Sequence, residues 1–120
     1  MVHADGREPA RVGLALVCNS DPWTYLGPRP VRPCPTASFD LGLDLFGLRS
    51  LGTVTTLRHL RQVLAASPRP AGRAVLSLHD LDGFRLTADR PMALQVDGDD
   101  LGDRSEVVFR SARNALDVVV

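Results

Sequence analysis

The sequence predicts a mainly β (α+β) fold, an antiparallel β-sandwich-like domain with one packed helix near residues 53–66. Short apolar runs of strand length recur along the chain, and a single segment spaces its apolar residues as a helix does. With 120 residues, of which 44% are hydrophobic, the chain can bury one modest core. We therefore expect a β-sandwich domain over residues 11–120, with residues 1–10 as a disordered or truncated lead-in.

The strands are predicted from apolar runs bounded by turn residues. Residues 12–18 are continuously apolar, which is typical of a strand buried on both faces, and residues 41–48 alternate loosely. Five further short strands are predicted at residues 74–79, 84–87, 91–96, 106–110 and 115–120. Asp82-Gly83 predicts a hairpin between the first two of these, since a tight primed turn needs positive φ at both central residues. Arg113-Asn114 marks the last turn.

The helix is predicted from apolar residues at spacings of three, three and four, namely Val54, Leu57, Leu60 and Leu64. Pro68 ends it, because proline cannot continue a helix. The other face carries Arg58 and Arg61. These arginines form either a solvated face or a contact with anionic lipid headgroups, and the solvated face is the commoner case.

The segment from residue 19 to residue 35 holds five prolines, so the sequence predicts a long loop without regular structure. Trp23 and Tyr25 lie within it. They either pin the loop to the core or mark a functional loop, and pinning is the favoured interpretation.

Charge balance and the lack of certain motifs argue against several classes of function. Fourteen basic and fourteen acidic residues cancel, which disfavours a nucleic-acid partner. The sequence has no Gly-rich phosphate loop and no H-E-x-x-H motif, and its three histidines are scattered. Cys18 and Cys34 have no second ligand at metal-binding spacing and predict free thiols. No signal peptide or spanning segment is visible, so a cytoplasmic location is expected, with peripheral contact to the membrane left open.

Two acidic clusters could carry chemistry. In Asp97-Gly98-Asp99-Asp100, Asp97 and Gly98 suit a turn, whereas Asp99 and Asp100 are not needed for it, and one of them could act as a general base. The second cluster surrounds Asp40, whose carboxylate precedes a Gly turn. Such an Asp either holds a hard cation or, more commonly, caps its own turn.

Four segments occur in an order that resembles a known family. They are residues 17–25 (Val-Cys-Asn-Ser-Asp-Pro-Trp-Thr-Tyr), 35–44 (with Ala-Ser-Phe-Asp and Gly-Leu-Asp), 95–99 (Gln-Val-Asp-Gly-Asp) and 109–118. Together these segments resemble the C-terminal domain of the bacterial diacylglycerol kinase and sphingosine kinase-like lipid kinases. The resemblance covers nearly the whole chain from residue 12, but nothing here resembles the N-terminal nucleotide-binding domain of that family.

The resemblance implies an ATP-dependent kinase that phosphorylates the hydroxyl of diacylglycerol or a related lipid. Asp99 occupies the position of the family's glutamate base, one methylene shorter. The family's structural magnesium lies near an Asp-Asp-Gly motif, which here reads Asp40-Leu41-Gly42, so Asp40 is the one candidate metal ligand. The intact enzyme would use ATP and Mg²⁺. The present chain would bind neither alone, would need the missing nucleotide-binding domain as a partner, and is expected to be inactive in isolation.

An alternative from another class is a non-catalytic β-rich module that binds a lipid surface or a protein partner. It treats the acidic segment as a solvated hairpin and the helix arginines as headgroup contacts. The sequence identifies neither the lipid nor the oligomeric state.

Overall fold

The structure is a computed structural model that describes residues 1–65, 72–113 and 115. Its elements, in chain order, are β1 (Val2–Ala4), β2 (Leu14–Cys18), β3 (Thr24–Leu26), β4 (Arg29–Val31), β5 (Leu43–Leu48), α1 (Thr53–Val63), β6 (Val75–Leu81), β7 (Gly83–Val96) and β8 (Asp99–Arg110). The described strands form two three-stranded sheets, β1-β7-β8 and β2-β5-β6, and the ribbon β3-β4. All pairings are antiparallel. The predicted mainly β fold with one helix is confirmed.

Strand β5 lies at the centre of the domain and is buried on both faces. Because side chains alternate along a strand, its neighbouring residues enter different cores. Leu45, which is fully buried, packs in a cluster with Val2 of β1 and Phe84 of β7 between the two sheets. Phe46 packs on the opposite side with Val63 of α1. The domain therefore has three layers: the β1-β7-β8 sheet, the β2-β5-β6 sheet, and a cover of helix and loops.

The predicted hairpin at Asp82-Gly83 is wrong. Strand β6 pairs with β5, whereas β7 pairs with β1 and β8, so the chain passes from one sheet to the other at this corner. The positive φ lies two residues earlier, at Asp80, with a value of 53°. The physical reason is the shared core: Leu78 of β6 and Phe84 of β7 enter the same cluster from facing sheets, which a flat hairpin would not allow.

A long hairpin instead joins β7 to β8. The strands predicted at residues 84–87 and 91–96 are one strand, and the strand predicted at 106–110 begins at Asp99. Pro91 lies where the pairing register shifts between Thr87 and Met92, a position at which proline costs the sheet little. The strand predicted at residues 115–120 and the turn at Asn114 lie outside the described residues, apart from residue 115.

The amino-terminal residues differ from the expected disordered lead-in. Val2 is buried, and β1 pairs with β7. The Val2 N–H donates to the Ala10 carbonyl at 2.7 Å, and the Ala10 N–H donates back at 3.0 Å. A three-residue strand is too short to produce a periodic signal in the sequence, which explains why it was not predicted.

The proline-rich segment contains the ribbon β3-β4, so the prediction of a loop without regular structure is wrong for it. Trp23 and Tyr25 do not pin the segment, since they remain 47% and 64% exposed. The backbone N–H of Arg32 connects the segment to α1 by donating to the Val63 carbonyl at 3.1 Å, and the Arg32 side chain pairs with Asp21 within the segment. Polar anchors of this kind leave the aromatic rings free at the surface.

Helix α1 begins at Thr53 as predicted, but the face that carries its leucines is exposed and not buried. Its buried residues are His59 and Val63, whereas Leu57 and Leu60 are 61% and 49% exposed. His59 tolerates burial because its Nδ1 lies 2.7 Å from Gln62 Oε1. Periodicity identifies an amphipathic helix, but it does not determine which face meets the rest of the protein. Residue 66, where the helix was expected to end, lies outside the described residues. Among the described residues, no helix is long and apolar enough to cross a bilayer.

Leu45→Ala should lower the free energy of unfolding by about 2–5 kcal/mol, because it removes buried methyl groups at the point where the layers meet. Urea denaturation followed by circular dichroism measures the change. The control is Leu101→Ala on the exposed hairpin. Equal destabilisation by the two changes would contradict the central position of β5.

Candidate functional site

A cleft of about 850 Å³ lies between β2 and the β7-β8 hairpin. Leu16 and Val17 of β2 line one wall, and Leu86 and Leu94 of β7 line the other. Trp23 also contributes to the lining. This volume falls in the range of small-molecule sites, and the apolar walls suit a ligand with a hydrocarbon portion.

The acidic turn lies at the tip of this hairpin and reaches the cleft. Asp97 and Gly98 are its two central residues, with φ of 52° and 91°, and Val96 pairs with Asp99 directly across them. This is the backbone of a two-residue primed turn, in which glycine adopts positive φ without strain. Asp97 and Gly98 both line the cleft.

Asp99 is the first residue of β8 and is exposed. Its carboxylate accepts no hydrogen bond from the described part of the chain, and Asp99 is not among the described residues that line the cleft. Asp100, in contrast, accepts the Gly102 N–H at 2.8 Å. Of the two carboxylates considered as a general base, Asp99 is thus the one whose oxygens are not already used by a described neighbour.

A second polar cluster surrounds Asp44, a fully buried carboxylate in β5. His79 Nδ1 lies 2.7 Å from Asp44 Oδ1, the Asp80 N–H donates to the same oxygen at 2.9 Å, and Thr36 Oγ1 donates to Oδ2 at 3.0 Å. Three donors offset the cost of burying this carboxylate. Since Nδ1 of His79 faces an acceptor, the tautomer that carries its proton there is favoured.

Asp80 continues the cluster to the corner between the sheets. It accepts the Gly42 N–H at 2.7 Å and an Arg113 N–H at 3.0 Å. The bond from Gly42, aided by the Arg113 charge, holds the pKa of Asp80 below its ordinary value of 3.8. Only glycine fits at position 42, because a Cβ there would lie 2.5 Å from the Leu81 carbonyl oxygen.

Asp40 stands apart from both clusters. Its side chain is exposed, and its N–H donates to Ser38 Oγ at 3.3 Å within a local turn. Within residues 1–65, 72–113 and 115, no three His, Cys, Asp or Glu side chains group as metal ligands. Mg²⁺ is commonly held by one or two carboxylates together with waters and phosphates, so the assignment of Asp40 as its ligand stays a prediction.

Cys18 and Cys34 are free and buried in the core beneath α1. A hydrogen bond to Cys18, together with burial, raises the pKa of the Cys34 thiol well above its usual range. The Cys34 thiol is therefore protonated, and both buried side chains suit a packing role.

The sequence pointed to the acidic turn but missed the pair formed by Asp44 and His79, which are 35 residues apart. One signal for this pair was present in the sequence: Asp44 is a charged residue inside the apolar run of residues 43–48. A strand buried on both faces can hold a carboxylate only if hydrogen-bond partners surround it. The identity of the partner was not available, since it depends on the pairing of β5 with β6.

No protein-family model, curated protein or solved structure matches the chain.

Asp80→Asn should lower stability at pH 7, because the depressed pKa means that the folded state favours the ionised carboxylate. This stabilisation is complete above the ordinary pKa of the unfolded chain and is lost as the pH falls through the lower pKa of the folded state. The difference in unfolding free energy between the parent and the variant should therefore shrink below about pH 4. Urea titrations from pH 7 to pH 2.5 measure it, with the exposed Asp89→Asn as control. A difference that is independent of pH would contradict the role assigned to the charge.

Proposed function

We propose that the chain is the lipid-substrate side of an ATP-dependent lipid kinase that phosphorylates the hydroxyl of diacylglycerol or a related lipid. The observation that carries the proposal is the apolar cleft with a carboxylate turn at its margin. The four segments that resemble the bacterial diacylglycerol kinase family supply the choice of lipid and of reaction.

The cleft supports a substrate with both apolar and hydroxyl parts. Its walls would hold acyl chains away from water, which is the main source of affinity for such a ligand. Asp97 and Gly98 would then bring the hairpin tip to the polar end of the lipid. Strand pairing fixes the tip on both sides, and a site built on paired strands holds its groups in place better than a free loop does.

In this proposal Asp99 accepts the proton of the lipid hydroxyl. An exposed carboxylate that accepts no hydrogen bond from a described neighbour is free to do so, and correct placement of a base contributes about 10²–10⁴-fold to a rate. Asp97 shapes the turn that presents Asp99. The phosphate donor and its Mg²⁺ would be held by a separate nucleotide-binding domain, because the sequence contains no phosphate-binding loop.

The proposal places the protein in the cytoplasm, in contact with lipid at the membrane surface and with a nucleotide-binding partner. The competing function is a non-catalytic β module. One observation favours it: the acidic turn is exposed, as a solvated hairpin tip would be. The two functions differ in whether the cleft takes a lipid and in whether Asp99 matters to phosphate transfer.

Binding of short-chain dioctanoylglycerol should shift the emission of Trp23 to shorter wavelength, with saturation. Trp23 is the one tryptophan of the chain; it is half exposed and lines the cleft, so an acyl chain beside it would exclude water. Leu94→Arg in the cleft wall should weaken binding at least tenfold, because it places a charge against the acyl chain. Leu101→Arg, on the same hairpin but not among the lining residues, is the matched control. A constant emission spectrum would exclude the cleft as a lipid site.

The isolated chain should transfer no phosphate from radiolabelled ATP to diacylglycerol in mixed micelles. Addition of a nucleotide-binding domain from a diacylglycerol kinase, mixed or fused, should restore transfer, and Asp99→Asn should reduce the restored rate about 10²–10⁴-fold. Asp103→Asn, an exposed change on the same strand, is the control. Turnover by the isolated chain, or a restored rate that Asp99→Asn leaves intact, would contradict the proposed role.

A further inference from the structure

The outer face of α1 is an apolar surface that no described residue covers. Leu57, Leu60 and Leu64 line a shallow depression together with Arg29 and Arg61, and we call these five residues the helix patch. The stripe continues to Val54 in the first turn, which is 82% exposed. Val54, Leu57 and Leu60 thus face outward, with the half-buried Leu64 at the end of the helix, although burial of such a stripe is the usual reason for a helix to be amphipathic.

The ribbon β3-β4 extends the helix patch. Arg29, a member of the patch, pairs with Leu26 across the ribbon. Leu26 and the neighbouring Tyr25 are each 64% exposed. Tyrosine and leucine next to arginine are residues that partition into the boundary between lipid headgroups and acyl chains.

The stretch of sequence that contains α1 has charged residues of one sign only. From residue 45 to residue 79 the sequence contains five arginines and no acidic residue, whereas all fourteen acidic residues lie in the rest of the chain. Arg58 and Arg61 of α1 are exposed, and neither forms an ion pair with a described residue. The exposed Arg58 and Arg61 therefore place positive charge beside the exposed apolar stripe of a protein whose net charge is zero.

From this juxtaposition we propose that the helix patch docks on the surface of an anionic bilayer. The leucines would enter the boundary between headgroups and acyl chains, and the arginines would contact the phosphates. The charge complementarity selects an anionic membrane over a second copy of the chain, because two copies of the patch would bring their arginines together. The inference deepens the proposed function and rests on it for its biological purpose, but vesicle binding requires neither ATP nor diacylglycerol.

The test is sedimentation of the full chain with sucrose-loaded vesicles of phosphatidylcholine, with and without 30 mol% phosphatidylglycerol. The chain should bind the anionic vesicles at least tenfold more tightly, and 0.5 M NaCl should weaken that binding. Arg61→Ala should reduce binding about fivefold. Leu57→Ser and Leu60→Ser should each reduce it about tenfold, because a leucine side chain no longer leaves water.

Matched controls lie on the exposed hairpin: Arg90→Ala for charge and Val108→Ser for apolar surface, with the fold of each variant checked by circular dichroism. Equal binding to both vesicle types overturns the proposal, as does binding that Leu57→Ser and Leu60→Ser leave unchanged. A dimer that Leu60→Ser dissociates, without vesicle binding, also overturns it and assigns the patch to a second copy. If the emission of Trp23 responds to dioctanoylglycerol but the chain does not bind vesicles, the docking proposal is wrong and the cleft proposal stands. If the chain binds vesicles but the emission of Trp23 does not respond, the cleft proposal is wrong and the docking proposal stands.

Discussion

The burial of β5 on both faces is the constraint on which the rest of the structure depends. A strand in that position must send alternate side chains into two different cores, and Leu45 and Phe46 do so. One core requires a facing sheet, which the hairpin strands and β1 supply, and the other requires a cover, which α1 and its neighbouring loops supply. The cleft follows from this layering, because β2 pairs with β5 while the hairpin belongs to the facing sheet. Its two walls therefore belong to different layers.

Asp44 also connects β5 to its neighbours through polar contacts. Its carboxylate is taken out of water, and the donors that satisfy it come from β6 and from the loop at Thr36. Removing one partner from such a group costs more than the bond itself contributes, because a buried charge is left unsatisfied. The network continues through Asp80 to Arg113, which follows β8. A chain of charges thus ties β5 to the corner where the chain changes sheets and to the base of the hairpin that carries the acidic turn.

Local pattern in the sequence predicted the elements well and their contacts less well. The apolar run before Cys18, the strand ending at Leu48 and the helix starting at Thr53 all appear close to their predicted positions, because each produces a signal within its own residues. The hairpin at Asp82-Gly83 failed because turn residues specify a bend, whereas pairing depends on which core the flanking side chains enter. The exposure of the α1 leucines could not be predicted for a similar reason. Periodicity defines two faces of a helix, and tertiary contacts decide which of them is buried.

The same distinction between local and long-range features applies to the candidate site. The turn at Asp97-Gly98 could be predicted because its backbone requirement is local, whereas the cleft beside it and the partner of Asp44 arise only when distant strands meet. The net charge of the whole chain also says little about the charge of any one surface. At physiological salt, exposed charges act over about 8 Å, so a chain with balanced totals can still present an acidic turn on one surface and a cationic helix on another. Balanced totals disfavour a partner drawn by the whole molecule, as nucleic acid would be. They place no such limit on a flat anionic surface that contacts one face of the protein, as the proposed anionic membrane would.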